Sequence, residues 1–378
     1  MSRREDILNL AHEEGFDLAG VAPLAPPEDA PRFEAWLSAG HQGSMAYLER
    51  QRERILDPRR IVPGARSLLV LGLGHARAAG ELPGGGRVAR YALGRDYHNL
   101  IGKRLRRLAR KLEEAGLARA RRPMVDAGPL LERGHAREAG IGFSSKAANL
   151  LHPRFGPWFF LGELFLEEEL EPTADQLPAG SCGTCTACID ACPTGAILEP
   201  GRIDSPLCIS YQTIEQRGPI PEELRSSLGD WLFGCDVCSE VCPWGKDAPD
   251  SSTLFGSHPG LEDRSLVQLL QGSAGSEEER KAAFDEQLQG SPLRRTGRAG
   301  LARNAALVLG SRPTEEGREA LLQSLEVDPS PLVREASAWA LGTGHGEDRG
   351  VRARLEAARQ READPALRAA LERRLEGS

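Results

Sequence analysis

Eight cysteines are the residues of this chain best suited to chemistry, and all eight fall between Cys182 and Cys242 of 378 residues. In a reducing compartment such crowding indicates metal rather than cross-links. Cys182, Cys185, Cys188 and Cys192-Pro193 spell C-x-x-C-x-x-C-x-x-x-C-P, the bacterial ferredoxin run for a [4Fe–4S] cluster, in which the fourth cysteine ligates a second cluster. Cys235, Cys238 and Cys242-Pro243 form a second run that is one cysteine short, and Cys208 supplies the missing ligand. The spacing predicts one cluster on Cys182, Cys185, Cys188 and Cys242, and another on Cys192, Cys208, Cys235 and Cys238. Two zinc sites of four cysteines each are the alternative, although zinc ribbons do not require the three-cysteine run closed by C-P. Residues 176 to 250 carry 11 acidic and 4 basic side chains. That environment lowers reduction potentials, so the segment suits a short relay of strongly reducing electrons.

A relay needs only a fraction of the chain, and the flanking elements must explain what receives the electrons. Ser67 to Gly74 (SLLVLGLG) and Trp158 to Phe165 (WFFLGELF) read as buried strands. Between them Leu100, Ile101, Leu105, Leu108 and Leu112 recur at helical spacing, with arginine and lysine on the other faces. Residues 87 to 122 hold 12 basic against 3 acidic side chains, a patch able to meet a polyanion despite the net charge of −7. The dinucleotide fingerprint fails, because Arg77 stands where its third glycine belongs. Asp96-Tyr97-His98 with Gly102 is one residue too long for the D-x-H-x-x-G cobalamin signature, and His98 is read as structural or pocket-lining. Asp126, just before Gly128-Pro129, is displayed at a strand terminus or forms a turn.

No apolar run approaches the roughly eighteen residues of a membrane span, and the N-terminal segment lacks a secretory signal, so the chain is expected in the cytoplasm. DSSTLFGSHPG marks a linker. Beyond it LARNAALVLG, LVREASAWALG and ALRAALERRLEG repeat, with Arg303, Arg334 and Arg368 in matching places, as stacked helix pairs of the HEAT type do. The expected fold is multidomain α+β. Residues 1–175 form an α/β domain, 176–250 a ferredoxin-like domain with two [4Fe–4S] clusters, and 251–378 a linker with HEAT-like α-helical repeats.

Taken together, RVARYALGRDYHNLIGKRL, VDAGPLLER, GPWFFLGELF, CISYQTIE and GCDVCSEVCPW resemble the epoxyqueuosine reductases of queuosine-tRNA biosynthesis, over nearly the whole chain. The resemblance implies a cobalamin-binding N-terminal domain and reduction of epoxyqueuosine to queuosine at the tRNA wobble position. It implies Asp126 as the acid beside the departing oxygen. Tyr91, Lys146, Ser210, Asp236 and Val237 fall at positions that touch the corrin. Phe143-Ser144-Ser145-Lys146 departs from the family's usual GWxGK, Ala147 replaces a polar residue, and Pro157 replaces serine. For tRNA, Arg294, Arg295 and Arg298 are the expected phosphate contacts, with the 87–122 stretch second. An unidentified low-potential donor, no membrane and a monomeric state complete the expectation. A corrinoid reductase of a small molecule and a non-enzymatic ferredoxin-like carrier are the alternatives.

Overall fold

The computed structural model describes residues 2–174 and 180–376, so the expected domain boundary between 175 and 176 lies outside the described residues. The chain is α+β and divides into two compact units, each assembled from three segments. One unit comprises Met1–Arg77, Asp96–Pro206 and Asp236–Gly256; the other comprises Ala78–Arg95, Leu207–Cys235 and Ser257–Ser378.

The first unit is organised by an antiparallel sheet in the order Leu18–Pro23, Ser67–Gly74, Phe159–Leu166, Ala120–Met124. Ser67–Gly74 is buried along its whole length, as its unbroken apolar run predicts. The second predicted strand begins one residue later than expected, at Phe159, and pairs in register from Gly74↔Phe159 to Ser67↔Leu166. Helix Tyr97–Glu114 lays Ile101, Leu105, Leu108 and Leu112 against this sheet, each at 1 % exposure or less. Full burial of each such side chain contributes roughly 1.5–3 kcal/mol. Gly162 permits the approach, because a Cβ there would stand 2.9 Å from Ile101 Cγ2. The helix starts where the Asp96 carboxylate accepts the His98 backbone N–H at 2.9 Å. That cap fixes Tyr97 and His98 in the first turn.

The linker motif is tied down at its start. Ser251 N–H donates to the Ala76 carbonyl at 2.7 Å, Arg77 donates to the Gly256 carbonyl at 2.7 Å, and Phe255 is buried.

The second unit pairs Trp231–Phe233 parallel with Arg87–Val88, which pairs antiparallel with Gly80–Glu81. Around this small sheet stand helices Leu266–Gln271, Glu277–Gln287, Gly297–Ser311, Glu315–Val327, Pro331–His345, Arg349–Arg361 and Pro365–Glu376. Helix Gly297–Ser311 is almost wholly buried, packed against Pro331–His345 and the strand Trp231–Phe233. Among the described residues no helix is long and apolar enough to cross a membrane.

Candidate functional site

Four cysteines of the first unit, Cys182, Cys185, Cys188 and Cys242, line one cavity together with Cys238, Asn149 and Trp244. The thiols arrive on two tight turns. Cys185 N–H donates to the Cys182 carbonyl, and Cys242 N–H to that of Ser239. Lys146 Nζ donates to the carbonyls of Gly183 and Cys185 at 2.8 and 2.9 Å, so it clamps the first turn from outside. Burial, and then the neighbouring Cys182, pushes the Cys188 thiol up; burial is the leading cause at Cys242 as well. Thiols crowded in this way bind as thiolates when a cation compensates their charge. Among the described residues no three ligand side chains converge on a single ion; thiolates at separate corners of a cubane need no such convergence. Cys192 and Cys238 lie in this unit, Cys208 and Cys235 in the other. Cys208 precedes helix Ile209–Ile214, and Cys235 follows strand Trp231–Phe233.

A second constellation surrounds Asp126. This residue adopts φ +54°, a left-handed conformation that costs a non-glycine residue about 1–2 kcal/mol and places its side chain 62 % exposed beyond strand Ala120–Met124. The turn is held from both sides. Asp126 N–H donates to Glu132 Oε1 at 2.7 Å, and Tyr97 Oη donates to Asp126 Oδ2 at 2.5 Å. His98 Nε2 stands 3.7 Å from the same carboxylate oxygen, while Nδ1 lies 2.7 Å from Asp96 Oδ1. Burial opposes charge on His98, but Asp126 and Asp96 together outweigh it and lift the imidazole to about 9. At neutral pH it is an imidazolium. The Tyr97 ring stacks on Phe160 at 4.1 Å and 8°, and Phe160 continues to His75 at 4.3 Å. The acid thus sits at the end of a stack of rings in which Tyr97 and His75 are buried.

Beneath the turn lies a buried carboxyl pair. Glu163, opposite Val70 and Met124 in the sheet, has no exposed surface, and its carboxyl faces that of Glu132. Burial raises both above the ordinary 4.5, with the Asp126 charge adding to it at Glu132 and the Glu132 charge at Glu163, so the pair retains a proton at neutral pH. Because the native value is raised, the pair's stabilisation is full below 4.5 and is lost as pH climbs toward the native value, at about 1.4 kcal/mol per pH unit per proton. Glu163→Gln is therefore expected to raise the melting temperature more at pH 8 than at pH 5. Equal shifts at both would show that the pair holds no proton.

The remaining sequence-predicted residues are dispersed. Tyr91 lies in the short turn Arg90–Ala92 of the second unit, 6.3 Å from the Phe233 ring, and Ser210 lies in helix Ile209–Ile214. Asp236, buried, immediately precedes Val237–Glu240 in the first unit, with Val237 opening that short helix. Lys146, expected against a corrin, engages the cysteine turn. Arg294 pairs with Asp285 at 3.0 Å and Arg295 with Glu215 at 2.9 Å; both remain about half exposed. Arg298 does not reach the surface as expected of a phosphate contact. Its side chain is 6 % exposed and held by Asp328 at 2.8 Å and by Glu277. On the basic helix Arg107 and Lys111 share the single carboxylate of Glu14, and Lys103, Arg106 and Arg110 are exposed. Sequence reasoning missed Tyr97, Glu132 and Glu163. The available signals were the near-complete D-x-H motif and a lone carboxylate inside an apolar strand.

Two family models match the chain. Residues 181–245 match the family described as a 4Fe-4S double cluster binding domain, and residues 56–127 match "Epoxyqueuosine reductase QueG, DUF1730". The epoxyqueuosine reductase of Xanthomonas campestris pv. campestris is 40 % identical over 352 residues, covering 90 % of this chain and 95 % of the relative. That of Escherichia coli K12 is 36 % identical over 336 residues, covering 87 % and 86 %. A crystal structure of an epoxyqueuosine reductase with a tRNA-Tyr epoxyqueuosine-modified stem loop superposes with a TM-score of 0.88 at 28 % identity, over 98 % of this chain and 97 % of that one. The Bacillus subtilis enzyme, solved with an aspartate-bearing catalytic loop swung out of the active site, gives 0.83 at 28 % identity, over 98 % of each chain.

Proposed function

Since this chain belongs to the epoxyqueuosine reductase family, we propose that it reduces epoxyqueuosine in tRNA to queuosine, with Asp126 as the proton donor to the departing epoxide oxygen. The observation that carries the assignment of the acid is the turn at Asp126, held by Tyr97 and Glu132 with His98 beside it. Removing the oxygen as water leaves an alkene and consumes two electrons and two protons. Asp126 takes a proton from the charged His98 and passes it to the oxygen as the carbon–oxygen bond breaks. Tyr97 fixes the carboxyl in its donating position. The left-handed turn exposes that carboxyl to an incoming nucleoside.

The double-cluster module supplies low-potential electrons, from a donor of correspondingly low potential. Cobalamin, when bound, would supply the two-electron chemistry at carbon or oxygen that side chains lack. Tyr91, Lys146, Ser210, Asp236 and Val237 are the residues that would hold it, Lys146 from its place on the cysteine turn. The proposed division is a cobalamin domain over 1–175, the cluster domain over 176–250, and HEAT-like tRNA-binding repeats over 251–378, in a monomer of the cytoplasm.

Arg294 and Arg295 are the proposed phosphate contacts, since both keep exposed guanidinium surface despite their acidic neighbours. Changing both to alanine is expected to weaken stem-loop binding and to flatten its salt dependence by about 1 in log–log slope per lost contact. Filter binding across a salt series measures it, and an unchanged slope would remove them from the interface. The reaction itself is tested by anaerobic incubation of the reduced, reconstituted protein with an epoxyqueuosine stem loop. Loss of one oxygen from the nucleoside is expected, and an unchanged nucleoside mass would refute it.

A further inference from the structure

Arg303 is the largest fully buried side chain among the described residues, 1 % exposed, in helix Gly297–Ser311 of the second unit. Its five N–H groups are all used, and every acceptor is a neutral oxygen. Nη1 donates to the carbonyls of Gln216 and Gly218 at 2.8 and 2.7 Å. Nη2 donates to the Gln212 carbonyl at 2.8 Å, and Nε and Nη2 share Asn304 Oδ1 at 3.0 and 2.8 Å. Asn304 in turn donates through Nδ2 to the carbonyls of Thr213 and Leu232 at 2.8 and 2.9 Å. Glu335, a carboxylate whose charge acts on Arg303, is itself paired with Arg225 at 2.9 Å. Burial, then the charges of Arg217 and Arg225, push the guanidinium down to about 9, so it stays charged at neutral pH. A buried cation without a bonded anion is costly, and a chain that keeps one must compensate it.

The carbonyls that receive these bonds belong to the two segments that carry Cys208 and Cys235. Gln212 N–H donates to the Cys208 carbonyl at 2.9 Å, so the residue whose carbonyl the guanidinium holds also holds the Cys208 backbone. Leu232 lies three residues before Cys235 in strand Trp231–Phe233. Thr213 joins the same segments, because Gly234 N–H donates to its Oγ1 at 2.9 Å and that hydroxyl donates to the Ile209 carbonyl at 2.8 Å. Guanidinium, amide and hydroxyl therefore brace the Cys208 and Cys235 segments against one helix.

We infer that Arg303, through Asn304, is a positioning residue for the second iron–sulfur cluster: it sets Cys208 and Cys235 in register and supplies the buried positive charge that the anionic cluster balances. This inference rests on the assignment of Cys192, Cys208, Cys235 and Cys238 to one cluster. A cation fixed near a cluster stabilises its more negative, reduced form, and so raises its potential relative to a neutral residue in the same place.

Three variants of the full-length holoprotein test it: Arg303→Gln, which keeps neutral donors; Arg303→Lys, which keeps the charge; and Thr213→Val, which keeps the volume and removes the hydroxyl. Iron content, circular dichroism and an EPR-monitored redox titration are the readouts. Arg303→Gln is expected either to lose half the iron or to keep it with one of two midpoint potentials moved to more negative values, and Arg303→Lys to restore that potential toward the parent's. Thr213→Val is expected to make one cluster labile while the other persists, and it decides the registration role should Arg303→Gln fail to fold. Folded Arg303→Gln with full iron and both potentials unchanged would overturn the inference, as would full, stable iron in Thr213→Val. Cys208→Ser is the control for the ligand assignment. If it keeps all its iron, the assignment has failed, whereas half-iron Cys208→Ser beside an unaffected Arg303→Gln locates the failure in the role of Arg303.

Discussion

Asp126→Asn is expected to lower turnover roughly 10²–10⁴-fold with iron content and stem-loop affinity unchanged. The substitution isolates the proton. Asparagine matches the shape of aspartate, tolerates the left-handed φ of +54°, and can still accept the Tyr97 hydroxyl through its amide oxygen. What it cannot do is give a proton to a departing oxygen. The neighbouring imidazolium adds a pH signature. His98 carries its proton up to about 9, so activity of the parent should fall as pH rises through that value, and the residual activity of Asp126→Asn should not follow the same limb. Single-turnover rates across pH measure both. A variant with full iron that reacts within a few-fold of the parent would take Asp126 out of the proton path.

Cys242→Ser should abolish turnover altogether and remove half the iron. Its thiol lines the cavity that Cys182, Cys185 and Cys188 also line, although some fifty residues separate it from them in sequence. A serine oxygen is a poor replacement for a thiolate on iron, and losing one cluster interrupts the relay. The pairing can be read from double variants without any activity. Cys182→Ser combined with Cys242→Ser should lose no more iron than either alone, because both would serve one cluster. Cys242→Ser combined with Cys208→Ser should lose nearly all of it. Loss of all iron in the first pair, or half in the second, would show that the ligands are partitioned differently.

Features set by local spacing could be read from the sequence. The ferredoxin run is a covalent ruler, and the family match over residues 181–245 coincides with it. The strand Ser67–Gly74 and the amphipathic helix from Tyr97 were legible because an apolar run and a 3.6-residue period are also local. Asp126 was readable as a residue at the end of a strand, whereas its partners were not. Tyr97 and His98 stand 29 and 28 positions earlier and meet it only because helix Tyr97–Glu114 crosses strand Phe159–Leu166. Glu163 looked like an ordinary alternation in WFFLGELF until the sheet placed it beside Glu132. Arginines were the least legible. Arg298 was read as a surface charge, yet it is enclosed by Asp328 and Glu277, 30 and 21 residues away, and Arg303 was read only as a repeat marker. A cation's sequence neighbours do not reveal whether it will face a phosphate, a carboxylate or a set of carbonyls.

Whether an acid turn and a double-cluster module together remove the oxygen of epoxyqueuosine is tested most directly by an anaerobic turnover assay with reconstituted protein, a low-potential reductant and tRNA bearing epoxyqueuosine, run with and without cobalamin and read by mass spectrometry of the digested nucleosides. Cobalamin-dependent conversion to queuosine is expected, with one oxygen lost per nucleoside. A protein that holds both clusters and cobalamin yet leaves epoxyqueuosine intact would contradict it.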